Sequence, residues 1–148
     1  MIIRTAKQAD EDAVYKLSQN FPSPTKISRD SFESSWRKKT NDSNSYTSVS
    51  ELNNEIIGYV AGYVHRPIYA NGPTFWVDEL LVKENFRREG VGSMLMDSVE
   101  QRATQRKCKQ ILLASSKSAA FYEKLGFNGT ATYLKNICNA QNKKYKYC

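Results

Sequence analysis

Residues 87–92, with the sequence RREGVG, place two arginines beside two glycines in a stretch suited to binding an anion. An apolar run at residues 80–82 precedes them, and apolar side chains recur at helical spacing through residues 91–99. This order predicts a strand, a tight loop and a helix. The first N–H groups of a helix have no internal partner and lie at the positive end of its dipole, and glycine lets a bulky group approach the backbone. We therefore expect the loop to bind a phosphate group, with the arginines adding positive charge.

Two other glycine-rich motifs do not fit this segment. A Walker loop needs lysine and then serine or threonine after its last glycine, whereas Gly92 is followed by Ser93 and Met94. A dinucleotide-binding fingerprint needs a third glycine where the chain has Leu95. The pattern that remains is Arg-x-x-Gly-x-Gly after a strand, and an ordinary helix-entry loop is its structural alternative.

A second motif, SSKSAAFYEKLGF, occupies residues 115–127. Together the two motifs resemble those of the GNAT acyltransferase superfamily. Its coenzyme A-binding pattern is Arg/Gln-x-x-Gly-x-Gly/Ala, and a later helix reads Asn-x-x-Ala-x-x-Phe-Tyr-x-Lys-x-Gly-Phe. The second match is close from Phe121 to Phe127, whereas Ser115 replaces the usual asparagine and Ser118 the usual alanine.

The resemblance implies that acetyl-CoA is the acyl donor and indicates which residues hold it. Main-chain N–H groups of the loop would bind the diphosphate. The strand before it would bond the pantetheine arm and supply an N–H to the developing oxyanion. The cofactor-binding residues implied in this way are Leu80, Leu81, Val82, Arg87, Arg88, Gly90, Val91, Gly92, Ser93, Ser115, Ser118 and Phe121.

Tyr122 is the residue that the resemblance assigns to protonation of the leaving thiolate. A phenol and a thiol both have pKa values above neutrality, so a positioned hydroxyl can donate its proton as charge develops on sulfur. The alternative is a tyrosine that only packs the helix against the sheet.

Two carboxylates, Asp78 and Glu79, come just before the apolar strand and are the candidates for removing a proton from the acceptor amine. An alkylamine is almost entirely protonated at neutral pH, so a base is required. Neighbouring strand residues face opposite sides, so we expect one carboxylate to face the cleft, with a bulge able to change which one. We favour Glu79; a strand-end salt bridge or an acceptor-binding charge is the alternative for either residue.

The composition is that of one globular domain spanning residues 1–148, with residues 143–148 predicted to form a flexible basic tail. The three cysteines are far apart and the single histidine is His65, so neither a disulfide framework nor a metal site is expected. No apolar run is long enough for a membrane span, and we expect a cytoplasmic protein. The net charge of +7 would suit an anionic cofactor or nucleic acid.

The remaining pattern predicts an α+β fold: a strand, two helices, antiparallel strands, a helix, a parallel strand, a helix and a closing hairpin. Asn53 and Asn54 suit a tight turn with positive φ, Gly58 and Gly62 suit a bulge or a close backbone approach, and residues 127–135 suit the closing hairpin. The pattern also places Phe21 in the first helix, a cap of the second helix at Ser28, a polar loop at residues 41–44 and the end of the last helix at Gly126. This order is similar to the GNAT mixed sheet, in which the central strand and the following parallel strand splay apart around the coenzyme. In that family the two early helices lie over the acceptor. Phe21, Phe32 and Trp36 are therefore either acceptor-lining residues or core anchors.

We therefore predict an acetyl-CoA-dependent N-acetyltransferase acting on a small-molecule or peptide primary amine. A non-catalytic acyl-CoA-binding or regulatory module is one alternative. A nucleic-acid-binding domain is the other, and it is less favoured because the aromatic residues fall mostly on core-facing positions. Dimers are common in the superfamily, so the resemblance makes a homodimer one expectation.

Overall fold

The computed structural model describes residues 1–136 and 138, and the chain divides into two units, Met1–Leu113 and Ala114–Cys148. The first unit contains β1 (Ile2–Thr5), α1 (Glu11–Ser18), α2 (Arg29–Asn41), β2 (Ser45–Leu52), β3 (Glu55–His65), β4 (Thr74–Val82), α3 (Val91–Gln105) and β5 (Gln110–Leu113). The described part of the second unit contains α4 (Ala119–Lys124). Short 3₁₀ turns lie at Gln8–Asp10, Ile68–Ala70 and Glu84–Phe86.

The five strands form one mixed sheet in the order β1-β2-β3-β4-β5. The first three pairings are antiparallel, and β4 pairs with β5 in parallel after the crossover through α3. This arrangement confirms the predicted α+β mixed sheet. The hairpin between β2 and β3 also turns where expected, since Asn53 and Asn54 have φ values of 50° and 65°.

The two faces of the sheet are covered by different helices. On one face α1 and α2 close a core cluster made of Val14, Leu17, Trp36, Val49, Tyr59, Ala61 and Leu81. On the other face α3 packs on the middle strands, where a Cβ at Gly58 would approach Leu95 Cδ1 to 3.3 Å. Side chains alternate along a strand, so between Gly58 and Gly62 the odd-numbered residues of β3 face α1 and α2, and the even-numbered ones face α3.

The helix boundaries follow local capping more than apolar spacing. Ser28 Oγ accepts a hydrogen bond from the Ser31 N–H at 3.2 Å, which confirms the predicted start of α2. That helix continues beyond Trp36 to Asn41, a residue the sequence placed in a loop. In contrast, α1 ends at Ser18, so Phe21 lies beyond it.

An ion pair at the start of the chain ties β1 to the turn before α1. The Arg4 guanidinium donates two hydrogen bonds of 2.8 Å to the Asp10 carboxylate, and the Lys7 N–H donates a third at 2.7 Å. The hydrogen bonds from Arg4, against the opposing effect of burial, hold the pKa of Asp10 below its usual value. A lowered pKa means that this stability is present at neutral pH and is lost as the pH falls through the folded-state pKa.

Asp10→Asn is therefore expected to lower the free energy of unfolding at pH 7 by about 1–3 kcal/mol, because buried charged hydrogen bonds are lost. The deficit should shrink below roughly pH 4, where the wild-type carboxylate is itself protonated in the unfolded chain. Urea unfolding at pH 7 and pH 3 measures both effects. Asp12→Asn is the matched control, since Asp12 pairs with Arg29 on the exposed surface and should change little. Equal losses for the two variants at both pH values would contradict the prediction.

The second unit ends its helix as the sequence predicted but does not form the expected hairpin. Gly126 has φ 88°, its N–H bonds to the Glu123 carbonyl at 3.0 Å, and the Phe127 N–H bonds to the Tyr122 carbonyl at 3.1 Å. Residues 127–136 contain no strand, so the predicted closing hairpin over 127–135 is wrong for this stretch. Tyr133 and Leu134 are 67% and 86% exposed, so little apolar burial is available to stabilise strand pairing there. The predicted tail at 143–148 lies outside the described residues.

Candidate active site

The edge of β4 becomes free halfway along the strand. β5 pairs with β4 only from Thr74 to Val77, whereas β4 continues paired with β3 as far as Val82. In the first unit no strand pairs with residues 78–82 on the side away from β3. Main-chain donors and acceptors on that edge are therefore available to a ligand, as the resemblance to the splayed sheet led us to expect.

The loop that follows turns these strand residues into α3 through two left-handed positions. Arg88 has φ 66° and Gly90, the N-cap of α3, has φ 81°. The Met94 N–H bonds to the Gly90 carbonyl at 3.0 Å, so the three N–H groups between them, at residues 91–93, begin the helix without a partner in it. A Cβ placed at Gly90 would meet nothing within 4 Å, which shows open space beside these donors. We call residues 88–93 the donor nest.

The side chains around the donor nest differ in their contacts and exposure. Arg87 Nε donates to the Val82 carbonyl at 3.1 Å, which fixes the loop to the end of β4. Arg88 is exposed and carries its charge into solvent beside the loop, whereas Val91 is buried and anchors the helix in the core. Gly92 and Ser93 are half-buried in the first turn. The arrangement places the positive end of a 15-residue helix at the end of the free strand edge.

A β-bulge at Asp78 decides which carboxylate faces inward. Ala61 pairs with Glu79 and Gly62 with Val77, which leaves Asp78 as the extra residue. Because of the bulge, Glu79 lies on the α1/α2 face of the sheet and Val77 lies on the other face. Strict alternation would have kept both side chains on one face. Glycine at 62 is required there, because a Cβ would lie 2.3 Å from the Trp76 carbonyl oxygen. The predicted bulge near Gly62 is thus confirmed.

The two carboxylates have separate partners. Glu79 Oε2 accepts a hydrogen bond of 2.8 Å from the Tyr59 hydroxyl, whereas Asp78 Oδ2 is paired with Lys39 Nζ of α2 at 2.8 Å. Burial, and then the charge of Glu79, raise the pKa of Tyr59, so its hydroxyl stays protonated and keeps donating. Asp78 therefore makes the strand-end salt bridge that the sequence left open, and Glu79 is the carboxylate directed to the interior.

A cavity of about 170 Å³ lies between α1, α2 and the sheet, with Glu79 among its lining residues. We call it the α2 cavity. Phe32 and Trp36 line it with their rings nearly parallel, 16° apart and 5.8 Å between centroids. Trp36 also belongs to the core cluster, which confirms its predicted role as a core anchor, and Phe21 packs against that cluster. The sequence did not single out Lys39, Tyr59 or Ala61; the alternation along β3 would have placed the last two on one face.

The predicted site residues of the second unit form a local arrangement of their own. Ser115 Oγ accepts a hydrogen bond from the Ser118 N–H at 3.1 Å, and the Ser118 carbonyl accepts one from the Phe121 N–H at 3.1 Å. The centroid of the Tyr122 ring lies 4.9 Å from that of the Phe121 ring and 5.9 Å from that of the Phe127 ring. Burial raises the pKa of Tyr122. Among the described residues of its unit, the Tyr122 hydroxyl has no hydrogen-bond partner.

The described residues, 1–136 and 138, contain no group of three or more His, Cys, Asp or Glu side chains placed to hold a metal ion. None of their helices is long and apolar enough to cross a membrane.

A mixed sheet with a free strand edge beside a helix-opening donor nest is the arrangement that the sequence resemblance led us to expect, and comparison with known families agrees. The model of the acetyltransferase (GNAT) family matches residues 11–127. This chain belongs to the GNAT acetyltransferase family.

Solved structures share the whole fold at low sequence identity. A transcriptional regulator from Bacillus halodurans C-125 has a TM-score of 0.82 at 24% identity, covering 93% of this chain and 99% of that chain. The glucosamine-6-phosphate N-acetyltransferase of Arabidopsis thaliana has a TM-score of 0.81 at 15% identity, with 93% and 98% covered. An aminoglycoside 6′-N-acetyltransferase from Acinetobacter haemolyticus has a TM-score of 0.81 at 18% identity, with 94% and 99% covered. A transcriptional regulator and two acetyltransferases with different acceptors thus share this architecture, so the likeness concerns the fold.

Proposed function

We propose that the chain is an acetyl-CoA-dependent N-acetyltransferase that transfers the acetyl group to a primary amine by direct attack. The observation that carries the proposal is the continuity of the free β4 edge with the donor nest in one unit. An extended pantetheine arm can pair with the strand edge while the diphosphate lies on the helix N–H groups. The membership of the chain in the GNAT family supports the same donor.

The donor, when bound, supplies a thioester whose carbonyl carbon is open to attack. The amine nitrogen forms a bond to that carbon and the carbon–sulfur bond breaks. The ammonium nitrogen loses one proton before it attacks and another as the amide forms, and the sulfur gains one, so the products are an N-acetyl amide, a free thiol and one released proton. The protein has to hold the donor, take up the proton that the ammonium group loses before attack, stabilise the oxygen that gains negative charge, and deliver a proton to the sulfur.

Glu79 takes up the amine proton in this proposal, directly or through one water molecule. The Tyr59 hydroxyl fixes one carboxylate oxygen, and the other has no partner among the described residues, so it is free to accept a proton. Main-chain N–H groups on the free edge of β4 donate to the developing oxyanion. Tyr122 delivers a proton to the sulfur, because its raised pKa keeps it protonated at neutral pH.

Acetyl-CoA is expected to raise the melting temperature, because a ligand at 100 times its Kd stabilises the folded state by about 2.7 kcal/mol. A panel of primary amines should then release free thiol in equal amount to the acetylated amine, measured by a thiol reagent and by mass spectrometry. Thiol release without amide would indicate a hydrolase. Binding without thiol release would indicate a non-catalytic acyl-CoA-binding module. Salt-sensitive binding of DNA or RNA with no response to acetyl-CoA would favour a nucleic-acid-binding domain.

A further inference from the structure

We propose that the acceptor is a compact primary monoamine with an apolar body of about one ring, held in the α2 cavity, and that polyamines and polyhydroxylated amines are poor acceptors. This inference rests on the proposed function, because it assigns the amine that the same site acetylates. Four properties of the α2 cavity support it: its size, its lining, two unpaired polar atoms in its walls and its charge.

The size of the α2 cavity limits the body of the acceptor. Its volume is about 170 Å³. A cavity of about 150 Å³ with apolar walls is large enough to hold one benzene molecule. The α2 cavity therefore accepts one aromatic ring or a branched alkyl chain, whereas an amine built from several sugar rings would have to remain largely outside it.

The lining of the α2 cavity disfavours hydroxyl groups. Its mainly apolar lining side chains are Val14, Ile27, Phe32, Trp36, Tyr59 and Ala61, and the aliphatic hydroxyl groups of the lining belong to Ser18, Ser31, Ser35 and Thr47. The hydroxyl of Ser18 is already used, since it donates to the Tyr15 carbonyl at 2.7 Å. A ligand with several hydroxyl groups would lose more hydrogen bonds to water than the few remaining polar groups can replace, and that loss lowers affinity.

Two buried polar atoms suggest that the α2 cavity is shaped for a ligand and is not a packing defect. Trp36 Nε1 and Thr47 Oγ1 belong to residues that line it, and neither has a hydrogen-bond partner among the described residues. Buried polar atoms are normally paired, so two unpaired ones beside one cavity call for an explanation. The presence of the cavity suggests one explanation, which is a bound ligand that rearranges these walls.

The charge at the α2 cavity fits one amino group. Glu79 is the only carboxylate among the lining residues, and Lys39 is the only cation. Lys39 is paired with Asp78, so that second carboxylate is already neutralised. One uncompensated negative charge serves one ammonium group before it is deprotonated, whereas a second ammonium group of a polyamine would find no second free carboxylate among the lining residues.

The first test compares acceptors at saturating acetyl-CoA. Phenethylamine and isoamylamine are expected to have kcat/KM values at least 10-fold above those of spermidine, kanamycin and glucosamine 6-phosphate. A preference of similar size for any of the last three would overturn the proposal.

A binding measurement separates this inference from the proposed function. The chain has two tryptophans, so phenethylamine should shift the indole N–H signal of Trp36 in NMR spectra and leave that of Trp76 unchanged, with Trp36→Phe assigning the two signals. A Trp36 shift without turnover of any amine would refute the proposed function and support the binding site. If phenethylamine neither shifts the Trp36 signal nor becomes acetylated, the inference is refuted. In that case acetyl-CoA binding still tests the donor site separately.

Two serines on neighbouring positions of α2 offer a matched pair of variants. Ser35 lines the α2 cavity and Ser34 does not, and both are exposed, so neither change should disturb the core. Ser35→Phe is expected to raise the KM for phenethylamine at least 10-fold with acetyl-CoA binding unchanged, whereas Ser34→Phe should match the wild type. Equal behaviour of the two variants would place the acceptor elsewhere.

The charge argument has its own variant pair. Lys39→Gln leaves Asp78 without its partner, so the ratio of kcat/KM for putrescine to that for phenethylamine should rise several-fold. Lys38→Gln removes a neighbouring exposed charge that does not line the α2 cavity, and it should leave the ratio unchanged. A ratio unaffected by Lys39→Gln would contradict the assignment of selectivity to this ion pair.

Discussion

Tyr122→Phe is expected to lower kcat by about 10²–10⁴ while the Kd for acetyl-CoA stays within a few-fold of the wild-type value. The variant removes one proton donor and keeps the ring that contacts Phe121 and Phe127. The hydroxyl has no partner among the described residues of its unit, so its loss should not change the free energy of unfolding. Thiol release at saturating substrates measures kcat, and calorimetry measures donor binding.

The pH dependence gives a second measurement for the same residue. Burial raises the pKa of Tyr122, and an acid with a raised pKa stays protonated below that value. Wild-type kcat should therefore show no appreciable fall between pH 7 and pH 9 from loss of the tyrosine proton. Tyr133→Phe, which changes an exposed tyrosine of the same unit, is the control and should behave as the wild type. Unchanged kcat in Tyr122→Phe would remove this residue from the proposed mechanism.

Gly92→Leu is expected to abolish acetyl-CoA binding, with the Kd raised at least 100-fold. Gly92 lies in the first turn of α3 between two of the free donors, so a large side chain there would occupy the space of the diphosphate. Leucine is a better helix former than glycine, so propensity alone would favour the variant by about 0.5–1 kcal/mol. The melting temperature of the variant without ligand should be raised or unchanged, and acetyl-CoA should no longer raise it. That combination would separate a binding defect from unfolding.

Glu100→Leu is the control for that variant, because Glu100 is exposed on the same helix and away from its first turn. In this variant acetyl-CoA should raise the melting temperature as much as it does in the wild type. Normal binding by Gly92→Leu would contradict the placement of the diphosphate on the donor nest, and with it the main support for the proposed function.

The local features of this chain were predictable from the sequence because their causes are local. The left-handed turn at Asn53 and Asn54, the cap at Ser28 and the helix end at Gly126 each depend on a few consecutive residues. The closing hairpin at residues 127–135 was not predictable in this way. Alternation shows only that a segment can form a strand, whereas pairing also needs apolar surface to bury, and Leu134 is almost fully exposed.

The donor nest was likewise set by the sequence, since two glycines and the start of one helix lie within six consecutive residues. The α2 cavity, in which we propose that the acceptor binds, was decided by the tertiary structure alone. The bulge at Asp78 reverses the side on which Glu79 lies, and pairing with Gly62 on a separate strand creates that bulge. The α2 cavity takes its walls from two helices and three strands that are far apart in the chain, so only packing brings Lys39, Tyr59 and Glu79 together.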